Sequence, residues 1–126
     1  HPREAGDLMN QNASYVFFRK VDREGAVGGE GVVLTPGTSL AVDSTLLGYG
    51  LPLWVDIAPP VDGESPLRRL MVAQDTGGAI RGPVRGDVFW GFGERAEYLA
   101  GHMKSTGSYW VLLPLSGTNS NQSGTI

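Results

Sequence analysis

The chain has 126 residues, 40% apolar and 18% charged, with a net charge of −3 and a pI near 5.2. That balance suits one globular domain, or part of one, and excludes a disordered polyelectrolyte. It also excludes the electrostatic footprint of a nucleic-acid binder, since the one basic cluster, Arg68-Arg69, is too short to be a patch. There is no cysteine, so disulfides, thiolate metal sites and a cysteine nucleophile are ruled out.

In chain order, residues 1–13 are a polar lead-in with a short helical turn expected over 4–10. Residues 14–21 (SYVFFRKV) are β-branched and aromatic and predict a strand. Residues 22–30 are a glycine-rich turn region, and 31–34 a short apolar run ended by Thr35-Pro-Gly-Thr38. Short strands are predicted over 40–43 and 53–57, with a Gly48-Tyr-Gly50 loop between them. Residues 58–66 carry three prolines and a glycine and form a loop. The continuous apolar run 70–74 predicts a strand buried on both faces, after a solvated turn at Arg68-Arg69. Strands follow over 87–90 and 109–113. Between them, Ala96, Leu99, Ala100 and Met103 recur at helical spacing, predicting a helix over 94–104 that Gly107 can stop. The Ser/Asn/Gly-rich tail 116–126 has no pattern and is expected to be disordered. About six strands, one late helix and 19 glycines predict a mainly β fold, a small closed barrel over residues 14–115.

Three aspartates each stand beside an alternating apolar run: Asp43, Asp75 and Asp87. A carboxylate at a strand end must be hydrogen-bonded, solvated or put to use. Asp87 is flanked by Gly86 and Val88-Phe-Trp90. Apolar neighbours would raise its pKa as a general acid requires, while a turn aspartate capping the Gly86 bend reads equally well. Asp75 before Thr76-Gly77-Gly78 is either a turn former or the end of a strand where glycine N–H groups approach a ligand. Asp43-Ser-Thr45 has the look of an Asx turn. His102 lies near the end of the helix with no second metal-type ligand at a useful spacing, so no catalytic metal and no cofactor are expected. Gly-Gly-Ala-Ile-Arg-Gly82 lacks the Gly-Lys-Ser/Thr ending of a phosphate loop.

The run Leu40-Ala-Val-Asp43, then Val72-Ala-Gln-Asp75-Thr-Gly-Gly-Ala-Ile-Arg-Gly82, then Asp87 resembles the 3D domain, named for three aspartates. Leu34-Thr-Pro-Gly-Thr-Ser-Leu40, Phe89-Trp-Gly91 and Tyr109-Trp-Val-Leu-Leu-Pro114 extend the resemblance to the C-terminal region of the MltA family of lytic transglycosylases. The segment after Asp43 departs from that family's pattern. The resemblance implies a six-stranded double-psi β-barrel. It implies non-hydrolytic cleavage of peptidoglycan between N-acetylmuramic acid and N-acetylglucosamine, leaving 1,6-anhydromuramic ends. Asp87 matches the acid/base and Asp75 a second catalytic-site aspartate; Asp43, Gly77, Gly78 and Ala79 are expected on the substrate side. The implied partner is the glycan strand, with a monomeric protein in the periplasm, outer-membrane associated in the full-length family.

No apolar stretch reaches the roughly 18 residues that cross a bilayer. The opening His1-Pro-Arg-Glu4, without Met or signal peptide, is expected of a mature product or a fragment. Two other readings compete with the enzyme. One is a non-catalytic module that binds cell-wall glycan. The other is an inverting hydrolase using Asp75 and Asp87 as a pair.

Overall fold

The computed structural model describes residues 4–11, 13, 20 and 22–115. Alternation of apolar residues sets its main sheet. β1 (Ser39–Val42), β2 (Pro52–Ile57), β3 (Leu67–Asp75), β4 (Gly86–Val88) and β5 (Gly107–Val111) lie in the order β4-β1-β3-β2-β5. β1 and β3 run parallel and every other neighbouring pair is antiparallel. The sheet is open and curled like half a barrel.

Successive side chains point to opposite faces, and one face makes the core. Leu40 and Val42 from β1, Leu53 and Val55 from β2, and Met71 and Ala73 from β3 are buried together. Val88, Tyr109 and Val111 pack against them from the outer strands. Each Leu, Val or Met fully buried there contributes about 1.5–3 kcal/mol. The opposite face carries the row Leu70, Trp54 and Trp110, register partners that are about half exposed.

Several expectations change. Among the described residues the sheet has five strands rather than six, and it is not a closed barrel: the order runs from β4 to β5 without joining them. The strand expected over 14–21 lies outside the described residues apart from Lys20, and so does the tail 116–126. The 31–34 run forms no strand; Val33 makes an isolated bridge with Val27 while Leu34 is buried.

β3 is longer than its apolar run suggested and is not buried on both faces. Arg68 and Arg69 belong to it, paired in register with Asp56 and Val55, and Leu70 is 47% exposed. The arginines stay in the strand because β1 pairs with β3 only from Val72 onward, so their charged ends reach solvent or partners beyond the end of β1. Arg68 Nε donates to Asp56 Oδ1 at 3.0 Å across the strand pair. A pair this exposed adds little stability.

The helices are α1 (Ala5–Asn10) and α2 (Glu94–His102). α2 buries Ala96 and Leu99, and places Glu94 and Glu97 in its first turn, where the helix dipole favours acids. It ends earlier than expected: Met103 turns extended and its N–H reaches Leu99 O at 3.0 Å. Gly107 does not stop the helix but opens β5. A Cβ there would run into the Asp56 carbonyl oxygen and lie 2.6 Å from Ile57 Cα, so only glycine lets β5 close on β2 at that point. No described helix is long and apolar enough to cross a membrane.

Candidate active site

Register brings two of the three aspartates to one row. On β1, Ala41 pairs with Asp87 of β4 on one side and with Asp75 of β3 on the other. Two strand spacings, about 10 Å, therefore separate the Cα atoms of Asp75 and Asp87. A bulge between Leu40 and Ala41 makes this possible. Leu40 pairs with Ala73 and Ala41 with Asp75, so Gln74 is skipped in the ladder. Gln74 is used otherwise: its Oε1 accepts from the buried Ser39 Oγ at 2.7 Å, and Ser39 Oγ accepts from Thr35 N at 2.8 Å. This fastens the end of β3 to the turn that feeds β1.

Asp87 stands on the short edge strand β4, 52% exposed at its side chain. Arg85 Nε donates to its Oδ1 at 3.0 Å. The hydrogen bond to Asp87, helped by the opposite charge, raises the Arg85 pKa above its ordinary value. Asp87 opens into a cleft of about 620 Å³ whose walls include Arg85, Trp90, Ala100, Met103 and Lys104. Of the apolar surroundings expected from Val88-Phe-Trp90, Trp90 does line the cleft, but Asp87 stays half exposed and is not enclosed. Val88 turns to the core and Asp87 to solvent, because adjacent strand residues face opposite ways.

Asp75 closes β3 and accepts from Gly29 N at 2.9 Å. Beside it Gln74 O accepts from Glu30 N at 3.1 Å, so the turn around Gly29 docks on this strand end. No sequence signal linked Gly29 to Asp75, 46 positions away.

Asp43 is buried, 4% exposed, and both its oxygens are occupied. Oδ1 accepts from Thr45 Oγ1 at 2.7 Å and from Thr45 N at 3.1 Å, the Asx turn read from the sequence. Oδ2 accepts from Gly82 N at 2.9 Å, and Arg81 stands 3.6 Å from Oδ1. The Thr45 hydroxyl first, then the backbone N–H groups of Gly82 and Thr45, hold its pKa down to about 2, from 3.8. Arg81 adds to this, against the opposing effect of burial.

Gly77, Gly78 and Ala79 lie in the loop that Asp43 grips from its far end. The near end is tied by Thr76 Oγ1 to Val42 O at 2.9 Å, and a turn inside it by Ile80 N to Gly77 O at 3.0 Å. Ile80 is buried while Gly78 and Ala79 are exposed. The loop thus presents its glycine backbone outward beside Asp75, and not in the Asp87 cleft. Among the described residues no cluster of three or more His, Cys, Asp or Glu could hold a metal.

Residues 38–113, which include all three aspartates and the five strands, match the family model described as the 3D domain. The chain belongs to the 3D domain family. This 3D domain is similar to membrane-bound lytic murein transglycosylase A of Escherichia coli, 33% identical over 126 residues, 96% of this chain and 34% of the relative. Among solved structures it is similar to MltA of Neisseria gonorrhoeae, at 46% identity with a TM-score of 0.78 over 90% of this chain and 29% of that one. It is also similar to E. coli MltA with bound chitohexaose, at 31% identity and a TM-score of 0.74, covering 88% of this chain and 34% of that one. The chain therefore spans about a third of the length of these relatives.

Proposed function

We propose that this 3D domain is the part of a peptidoglycan lytic transglycosylase that carries the catalytic acid/base, Asp87. The observation that carries the reading is the position of Asp87. It is a half-exposed carboxylate at a cleft mouth, in a fold similar to enzymes named lytic murein transglycosylase A. A bound chitohexaose in one such relative supports a β-linked glycan as the ligand class.

One carboxyl suffices because the nucleophile is internal. Asp87 gives its proton to the leaving glycosidic oxygen as the bond to muramic C1 breaks. The carboxylate then takes the proton of the same sugar's C6 hydroxyl as O6 bonds to C1, which regenerates the acid and leaves a 1,6-anhydro end. Intramolecular attack gains the effective-molarity advantage that an external water lacks. Arg85 holds Oδ1, which leaves Oδ2 to handle the proton. Asp75, across Ala41, orients the glycan, and the exposed backbone of Gly77, Gly78 and Ala79 offers it N–H and C=O partners. Asp43 acts through the loop it clamps and does not touch substrate. The half-barrel is one portion of a six-stranded double-psi barrel, and the whole protein works in the cell envelope, on its periplasmic side.

Mass spectrometry of the products released from purified peptidoglycan tests this. Muropeptides one water lighter than reducing ones are expected, with a drop of about 10²–10⁴-fold in Asp87→Asn. Reducing ends in their place would mean a hydrolase. A second reading, a glycan-binding module without activity, draws on the relative with bound chitohexaose and gives Asp87 no proton to transfer. Glycan binding with no released product, by this chain and by Asp87→Asn alike, would establish it.

A further inference from the structure

A second cleft, of about 450 Å³, lies against the first turns of α2, one turn before the residues that line the Asp87 cleft. Its volume is within the range that holds small ligands. Trp90 forms part of its wall and also part of the wall of the Asp87 cleft. The two clefts therefore adjoin at Trp90. Leu67, Ala96 and Leu99, all buried, make its apolar floor.

Charge gives the cleft its character. Arg69 and Arg95 line it against a single carboxylate, Glu64. Arg95 is already paired with Glu64 at 2.7 Å. Arg69 donates to Gly37 O at 3.3 Å and has no carboxylate partner among the described residues, so its charge is uncompensated. A cleft of net positive charge stands out in a chain of net charge −3. Phe92 stands at its rim, 93% exposed, between Gly91 and Gly93, both with φ at +91°. Only glycine adopts that backbone readily, and it lifts the phenyl ring off the protein where no described residue covers it.

Two guanidiniums, an uncovered aromatic ring and an apolar floor fit a short peptide with carboxylates and small apolar side chains. Peptidoglycan bears such a peptide on the lactyl group of each muramic acid, next to the bond that Asp87 would cleave. We propose that the cleft of Arg69, Arg95, Trp90 and Phe92 binds the acidic peptide stem of the glycan, with Arg69 as its principal carboxylate anchor. This rests on the proposed function and deepens it: the domain takes stem-bearing strands in preference to naked ones. Planar guanidinium forks match carboxylates in two-point hydrogen bonds, which gives the site its selectivity for charge.

Calorimetry on the full chain tests it, with two ligands that the reaction cannot cleave: reduced disaccharide-tetrapeptide and the same disaccharide without peptide. The stem is expected to tighten binding by about tenfold, less at high salt. Arg69→Gln should remove most of that advantage, and Arg95→Gln, which breaks only the exposed pair with Glu64, part of it. Equal affinity for the two ligands in the native chain overturns the proposal. So does a stem advantage that survives in both arginine variants, shown to be folded by circular dichroism. The two readings separate cleanly. A stem advantage lost in Arg69→Gln, from a chain that releases no anhydro product, keeps this site and removes the transglycosylase. Anhydro product with no stem advantage does the reverse.

Discussion

Both oxygens of Asp43 are taken by groups that donate, and that decides how the residue behaves. An asparagine would turn an NH2 group toward either Thr45 N–H or Gly82 N–H, donor against donor. Asp43→Asn is expected to lower the melting temperature by several degrees and to loosen the 76–82 loop, seen as faster amide exchange at Gly82. The sign of its pH effect follows from the depressed pKa, about 2 against 3.8. The unfolded chain takes the proton first, so the contribution is complete above about pH 4 and disappears as pH falls toward 2. Urea unfolding in that window should show a steep loss of stability in the native chain and a flatter one in Asp43→Asn. An unchanged slope would mean that the clamp is not the acid-sensitive element. Asp87 differs from Asp43 by position alone: one side chain turns into a loop full of donors, the other out from an edge strand to a single arginine.

At the scale of elements, the join between β1 and β3 places the site. Ser39, fully buried, links the Thr35 turn to Gln74, and the bulge it accompanies brings Asp75 level with Ala41. Ser39→Ala leaves Thr35 N and Gln74 Oε1 without partners and should cost about 1–3 kcal/mol. It should also reduce activity more than a core change of equal cost, since it lets Asp75 shift. Chemical denaturation and product release, measured together against Val55→Ala, decide that. β5 depends on a close approach at Gly107, where any side chain meets the β2 backbone. Gly107→Ala should destabilise by about 1–3 kcal/mol and free the β5 amides to exchange.

For the whole molecule, the core is a single layer on one face of an open sheet, centred on Leu53, Met71, Val42 and Val55. Met71→Ala is expected to cost about 2–5 kcal/mol, a large share of the roughly 5–15 kcal/mol that typically holds a domain together. Native-state hydrogen exchange should be slowest in β1, β2 and β3 and faster in β4, β5 and α2, because the central strands are paired on both sides. Uniform protection across all five strands would contradict this. The edge position of β4 bears on the proposed acid/base. It leaves Asp87 accessible, at the cost of a strand whose protection depends on one neighbour.

Much of this was legible in the sequence because it is local. Alternation marked β1, β2 and β5 to within two or three residues, the 3.6-residue period marked α2, and Asp43-Ser-Thr45 marked its own turn. The motif Ala-Gln-Asp-Thr-Gly-Gly-Ala-Ile-Arg-Gly82 was enough to place the family. What the sequence could not carry is contact between distant segments. Nothing in a linear reading pairs Gly29 with Asp75, ties Ser39 to Gln74, or skips one residue of β3 so that Asp75 and Asp87 flank Ala41. Arg68 and Arg69 read as a turn because charge predicts solvent, and solvent is available at a strand edge as well as in a loop. Burial on both faces of β3 was inferred from an apolar run, but which face a sheet covers depends on what the rest of the chain lays against it. Side-chain identity fixed the local elements; register, curl and the sharing of Trp90 between two clefts were decided by tertiary packing, which depends on contacts that periodicity does not encode.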